Sequence, residues 1–183
     1  MPKKNVKRMC YAALLAAMYL PLSLYAAVQV GNVRISFGSL PVVVAALLFG
    51  PVDAVIVAMV GEFFKQLLTY GFTYTTVLYL LPPALRGLVV GLGALVLLSL
   101  RGQRLEERRM LCYAACIAAA VCTTLGNTLV NWLDSVLMGY YFPGLILGDF
   151  VWRLIVGMIN AVVMSSLAIP LVKTLRQRNV VSL

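Results

Sequence analysis

Histidine is absent from these 183 residues, and acidic residues number only six. Without His there is no Ser-His-Asp or Cys-His nucleophile system, and no imidazole to complete a zinc site. Charged residues make up 11% of the chain, less than half of the about 25% usual in soluble domains. The four cysteines, Cys10, Cys112, Cys116 and Cys122, form no C-x-x-C pair. Cys112 and Cys116 share a helix face, but with no His to join them all four read as small buried residues, and no metal site is expected. No G-x-x-x-x-G-K-[ST] loop occurs. Any ATP hydrolysis coupled to this chain is therefore expected on another subunit.

What the chain has in excess is apolar surface. Apolar residues reach 62% and the mean hydropathy is +0.96. A soluble fold of this size cannot hide that much, so the composition points to an all-α polytopic membrane protein embedded in the lipid bilayer. The apolar runs are continuous and do not alternate, which argues against a β-barrel. Net charge is +9. The basic residues sit in short clusters between apolar runs, as in cytoplasmic loops, and lack the aromatic partners of a nucleic-acid surface; no nucleic acid is expected.

Six apolar segments can be read, at about 9–30, 40–49, 52–70, 79–100, 110–132 and 148–175. Gly50-Pro51 divides the second from the third, because proline disfavours helix in the residue before it and removes a backbone donor. Six crossings place the N-terminal tail, the 101–109 loop and the tail with Lys173, Arg176 and Arg178 on one side. These three segments carry eleven of the fifteen Lys and Arg, so that side is expected to be cytoplasmic, with both termini inside. The segment at 40–49 is too short to span about 30 Å as a straight helix. It must be tilted, extended at its start or partly re-entrant. No repeat or domain boundary appears, and 1–183 reads as one integral membrane domain.

Charges within spans are costly and, unless near an end, face a cavity or a partner. In the six-span orientation Arg34, Glu62, Lys65, Arg86, Asn127, Asn131, Asp134, Asp149 and Arg153 all fall in the outward half. Four cations against three anions suit a carboxylate-bearing or otherwise anionic solute. Glu62 and Lys65 (i,i+3), like Asp149 and Arg153 (i,i+4), are either intrahelical pairs or parts of a pocket. Arg86 has no partner on its own helix, so a ligand or another element must satisfy it. Asn127 and Asn131 share a face after Thr123, as ligand contacts or interhelical glue. In the inner half Asp53 is the only acid within a span, suiting a helix start. The outer aromatics, Tyr70, Phe72, Tyr74, Tyr79, Trp132, Tyr140, Tyr141 and Phe142, suit an interfacial belt, with some serving as a lid on a planar ligand.

Two small-residue surfaces stand out. Ala12-Ala13-Leu14-Leu15-Ala16-Ala17 contains two overlapping Ala-x-x-x-Ala stripes, and Gly87 with Gly91 forms a second such surface. Both permit close helix approach, within the bundle or to a partner.

Length, span number and the first-helix Ala-x-x-x-Ala resemble the substrate-binding S components of energy-coupling factor (ECF) vitamin transporters. Closer likeness lies in Val33-Arg34-Ile35-Ser36-Phe37-Gly38-Ser39-Leu40-Pro41, Leu48-Phe49-Gly50-Pro51, Gly61-Glu62 and Ala84-Leu85-Arg86-Gly87-Leu88, a series similar to the folate branch and covering about 31–93. The resemblance implies a six-helix S-component bundle in the bacterial cytoplasmic membrane. It implies no enzyme and no cofactor beyond a vitamin as transported ligand. The chain would capture that vitamin from outside and dock to a transmembrane coupling subunit carrying two ATPase subunits. Ala12, Ala13, Ala16 and Ala17 would form the docking face, and Arg34 to Ser39 a gate over the pocket. Substrate contacts are expected from Arg34, Ser36, Glu62, Lys65, Tyr74, Arg86, Asn127, Asn131, Asp149 and Arg153. Two other readings compete: a structural membrane protein of the rod-shape-factor type, and a small membrane enzyme. The first would not need polar residues gathered in the outer half. The second lacks a catalytic constellation.

Overall fold

The structure, a computed structural model, describes residues 3–30, 33–139 and 143–177. Six helices dominate the described residues: α1 (Lys3–Leu24), α2 (Ser39–Phe49), α3 (Pro51–Tyr70), α4 (Leu81–Arg101), α5 (Arg109–Leu137) and α6 (Pro143–Gln177). Three stretches, Leu78–Arg101, Arg109–Leu137 and Phe150–Gln177, are long and apolar enough to cross a membrane. Large apolar side chains such as Leu14, Phe64, Leu95, Leu129 and Val162 point outward. In lipid such a surface costs nothing, because acyl chains are as apolar as leucine.

The first segment differs from its sequence reading. Helix ends at Leu24, and the chain then forms an antiparallel hairpin of β1 (Ala27–Val30) and β2 (Val33–Ser36), with Ala27 opposite Ser36 and Val30 opposite Val33. The reason is visible in the residues. Val28 and Val30 alternate with Gln29, and Val33 and Ile35 with Arg34, a period of two in β-branched residues that a continuous-run count overlooks. The expected gate at Arg34 to Ser39 is thus the second hairpin strand running into the start of α2. The fifth and sixth helices also run further than 110–132 and 148–175, absorbing much of the expected outer connection.

The break at Gly50-Pro51 is present. Gly50 adopts φ 92, a left-handed conformation that favours glycine, and Pro51 opens α3 as its first residue. The 11 residues of α2 are about 16 Å long, well short of a bilayer core. Ten of them are buried, and the helix packs against α1, α3, α4 and α6. Its only polar side chain is Ser39. A helix apolar on all sides belongs in the centre of a bundle, and α2 is that centre. Around it α3 packs on α4, α4 on α5 and α5 on α6. The Gly87/Gly91 surface serves internal packing: a Cβ on Gly87 would meet the Ala54 backbone at 2.9 Å, and one on Gly91 would meet Pro51 Cα at 2.4 Å.

Two arginines close one end of the bundle. Arg8 of α1 forms an ion pair with Asp53 and donates to the Phe49 carbonyl at 2.9 Å. Asp53 therefore does more than sit at a helix start. Arg176 of α6 pairs with Glu106 at 2.8 Å and donates to the Leu47 carbonyl at 2.7 Å. The last carbonyls of α2, orphaned by the break, are satisfied by side chains from the first and last helices. The start of α1, the end of α6 and the 101–109 connection consequently meet at the same end. Two of the cysteines read as buried, Cys112 and Cys116, are so; Cys122 is half-buried and Cys10 is exposed.

Candidate functional site

At the opposite end, next to the hairpin, the helices enclose a cavity of about 750 Å3. Polar side chains gather on it in a protein whose outer helix faces are largely apolar. From α3 it takes Glu62, Lys65, Gln66 and Tyr70, and from the following turn Thr73 and Thr75. From α4 and the short 3-10 turn before it (Leu78–Leu80) it takes Arg86 and Tyr79. From α5 it takes Thr123, Thr124, Asn127, Asn131 and Asp134, and from α6 Arg153, Gly157 and Asn160. Tyr19 of α1 and Ser36 of β2 add to it, with Pro83, Met138 and Val156 as its apolar part.

Helical spacing explains most of this wall. Glu62, Lys65 and Gln66 lie at i, i+3 and i+4, and Thr123, Thr124, Asn127, Asn131 and Asp134 follow the same rule along α5. The hydroxyls of Thr123 and Thr124 donate to the carbonyls of Ala119 and Ala120 at 2.6 and 2.9 Å, so these polar residues stay satisfied inside a helix. Tyr79 donates to Asn131 Oδ1 at 3.3 Å and to Asp134 Oδ2 at 3.2 Å, tying the start of α4 to the end of α5.

Three side-chain donors hold Glu62 in the wall. Only 3% of it is exposed. Its Oε1 accepts from Lys65 Nζ at 2.8 Å and Gln66 Nε2 at 2.9 Å, and its Oε2 accepts from the Tyr19 hydroxyl at 2.5 Å. The Glu62–Lys65 alternatives thus both hold: the two form an intrahelical pair, and both line the cavity. Three donors offset the desolvation of this carboxylate. Gly61 makes the arrangement possible, since a Cβ there would lie 2.5 Å from the Tyr19 ring.

Of the residues expected from sequence, Ser36, Glu62, Lys65, Arg86, Asn127, Asn131 and Arg153 converge on the cavity. Tyr74 does not. It is 97% exposed and points away. The Thr73 amide donates to Thr76 Oγ1 at 2.9 Å, and the turn this closes directs Thr73 and Thr75 inward and Tyr74 outward. The side chains of Arg34 and Asp149, and all of Tyr140, Tyr141, Phe142 and Arg178, lie outside the described residues. Sequence reasoning passed over Tyr19 and Gln66 and left Asn160 out of the expected contacts. Gln66 was available as the i+4 neighbour of Glu62, and Asn160 as the second turn below Arg153.

The two alanine stripes of α1 part company. Ala16 is 7% exposed and Ala12 packs against the core beside it, while Ala13 and Ala17 are exposed. The inward side follows from the helix: Ala12, Ala16, Tyr19 and Ser23 fall on one face, and Tyr19 and Ser23 are buried. Of the inward pair, Ala16 is buried and Ala12 half-buried. Among the described residues no cluster of His, Cys, Asp and Glu has the makings of a metal site.

A cavity lined by polar side chains at one end of an apolar helical bundle fits a solute-binding membrane protein. Comparison with protein families decides which kind. The model for the ECF-type riboflavin transporter S component matches residues 3–177. The chain belongs to that family. Among solved structures, the S component of a bacterial ECF transporter superposes on this S component with a TM-score of 0.64 at 20% identity, covering 95% of this chain and 98% of that one. The likeness is one of fold. A search of curated protein sequences finds no match. Family membership makes the chain a transporter subunit, not an enzyme, and removes the rod-shape and membrane-enzyme readings.

Proposed function

We propose that this S component captures a flat, polar, water-soluble vitamin from outside a bacterial cell and delivers it through the ECF energising module. The carrying observation is the cavity of about 750 Å3, with side chains from five helices and the hairpin converging on it. Pockets of about 300–1,000 Å3 bury drug-sized ligands, and a vitamin falls in that class. Thr, Asn, Gln and Tyr supply neutral donors and acceptors, while Tyr19, Tyr70 and Tyr79 offer faces for a planar ring. The family's own name puts riboflavin first among the vitamins to test. Folate, suggested by the series from Val33 to Leu88, is the second reading. Arg86 in the cavity wall favours it, because folate carries two carboxylates.

In this reading the chain crosses the cytoplasmic membrane six times with both termini inside, and the hairpin end faces out. Basic residues at Arg8, Arg101, Arg104, Arg108, Arg109 and Arg176 support that orientation. The exposed Ala13/Ala17 stripe is the surface we assign to the transmembrane coupling subunit, which carries two ATPase subunits. The test is a thermal-shift and native mass spectrometry screen of the purified protein against the water-soluble vitamins, riboflavin and folate first. Stabilisation with a one-to-one mass adduct is expected. No adduct with any vitamin would overturn the proposal.

A further inference from the structure

The end of the bundle away from the cavity carries a run of exposed positive charge. Between the last turn of α4 and the first of α5 stand Arg101, Arg104, Arg108 and Arg109, all exposed. The acids of the same stretch are engaged elsewhere. Glu106 is buried against Arg176, and Glu107 accepts from the Arg104 backbone amide at 3.4 Å. Among the described residues, Arg101, Arg104 and Arg109 take part in no ion pair. Arg108 donates to Gln103 Oε1 at 2.9 Å, a neutral partner that leaves its charge unopposed.

Two features separate this patch from ordinary solvated cations. The first is electrostatic. Arg101 ends α4, where a cation suits the negative end of the helix dipole. Arg108 and Arg109 instead stand at the start of α5, with no acid in its first turn. There they oppose the positive end of a 29-residue helix as well as one another. An anion lying among the four arginines relieves both repulsions. The second feature is what flanks the patch. Leu100 and Met110, one residue inside the two helix ends, are 77% and 84% exposed. Cations and bare apolar side chains thus stand at the same level, where a lipid headgroup meets its acyl chains.

We propose that this connection binds the headgroup of an anionic phospholipid. The guanidinium forks donate to the phosphate oxygens, and Leu100 and Met110 lie along the acyl chains. A zwitterionic headgroup fits worse, because it brings a cation of its own among the arginines. A soluble phosphate would leave the two apolar side chains with nothing to cover them. The lipid pins this end of the bundle to the membrane interface. The site does not depend on the vitamin; only the assignment of its leaflet to the cytoplasmic side rests on the orientation proposed above.

The experiment reconstitutes the full-length protein in nanodiscs of equimolar phosphatidylglycerol and phosphatidylcholine and releases it for native mass spectrometry. Retained phosphatidylglycerol should exceed phosphatidylcholine roughly fivefold or more. Arg104→Gln, Arg108→Gln and Arg109→Gln combined should abolish that preference. Lys3→Gln, Lys4→Gln and Lys7→Gln combined remove as much charge from the start of α1 and should leave it intact. Arg109→Gln alone, which breaks no contact described above, should lower it in part and guards against misfolding of the triple variant. In detergent, short-chain phosphatidylglycerol should raise the melting temperature more than short-chain phosphatidylcholine or glycerol phosphate. Equal retention of the two lipids overturns the site. So does an equal loss of preference in both triple variants, which would make it a matter of net charge alone. A shift as large with glycerol phosphate would also overturn it, in favour of a soluble anion. Vitamin titrations of the same samples test the transport reading separately: protein that retains phosphatidylglycerol but binds no vitamin removes that reading and leaves this one standing.

Discussion

The Tyr19 hydroxyl reaches Glu62 Oε2 across 2.5 Å, with the Tyr19 ring lying over Gly61. One contact thereby joins α1, whose outer face is assigned to docking, to the wall of the ligand cavity. Removing the hydroxyl in Tyr19→Phe leaves Glu62 with Lys65 and Gln66 only. A hydrogen bond to a buried charged group contributes about 1.5–3 kcal/mol, and the variant should lose that much stability in thermal unfolding. Gly61→Ala should cost at least as much, because its Cβ has no room beneath the ring. A Tyr19→Phe variant that melts with the wild type would mean that the contact adds nothing.

Arg86→Ala should weaken vitamin binding by about 2 kcal/mol or more, since a charged donor is removed from the cavity wall. Arg86→Lys should recover only part of this, because an ammonium keeps the charge but loses the planar fork. Calorimetric titration of both variants checks the pattern. Full affinity in Arg86→Ala would take the residue out of the site.

Arg176 and Glu106 pair with the carboxylate buried and the guanidinium half-buried, their side chains 14% and 4% exposed. Arg176→Ala strands the Glu106 carboxylate and releases the Leu47 carbonyl. A loss of about 3–5 kcal/mol is expected, the usual cost of breaking a buried pair from one side. Replacing both, as Arg176→Met with Glu106→Leu, should recover most of it. Chemical denaturation of the single and double variants in detergent decides, and equal loss in both would point to the Leu47 carbonyl as the dominant partner.

How these features read from sequence depended on their range. Gly50-Pro51 was legible because proline geometry is local. Glu62, Arg86, Asn127 and Asn131 were legible because charge or amide inside an apolar helix is costly and must face something. The hairpin at Ala27–Ser36 was not, since four alternating residues hide at the end of a long apolar run. Nor was the burial of the Ala12/Ala16 stripe, because which of two adjacent stripes turns inward depends on Tyr19 finding Gly61, a partner 42 positions away.

That sorting of the stripes gives a paired prediction. Ala17→Trp places a large ring on the exposed face and should abolish uptake in cells while ligand binding by the purified protein is unchanged. Ala16→Trp forces the same ring into the packed interior, where overpacking should lower the melting temperature and ligand binding together. Uptake assays set beside titrations separate the two outcomes. Normal uptake by Ala17→Trp would move the docking surface to another face.

The orientation of the bundle fixes which side the cavity serves, and two exposed positions at opposite ends report on it. Tyr74 lies by the cavity and Arg104 in the connection at the arginine end. In a chain whose four native cysteines have been replaced, Tyr74→Cys and Arg104→Cys each supply one thiol at a known end. Basic residues are retained on the cytoplasmic side because moving them across the bilayer is disfavoured. Arg104→Cys should thus react with a membrane-impermeant maleimide only after cells are permeabilised, whereas Tyr74→Cys should react on intact cells. The reverse pattern would open the cavity to the cytoplasm, and a subunit that captures vitamins from outside could not work that way round.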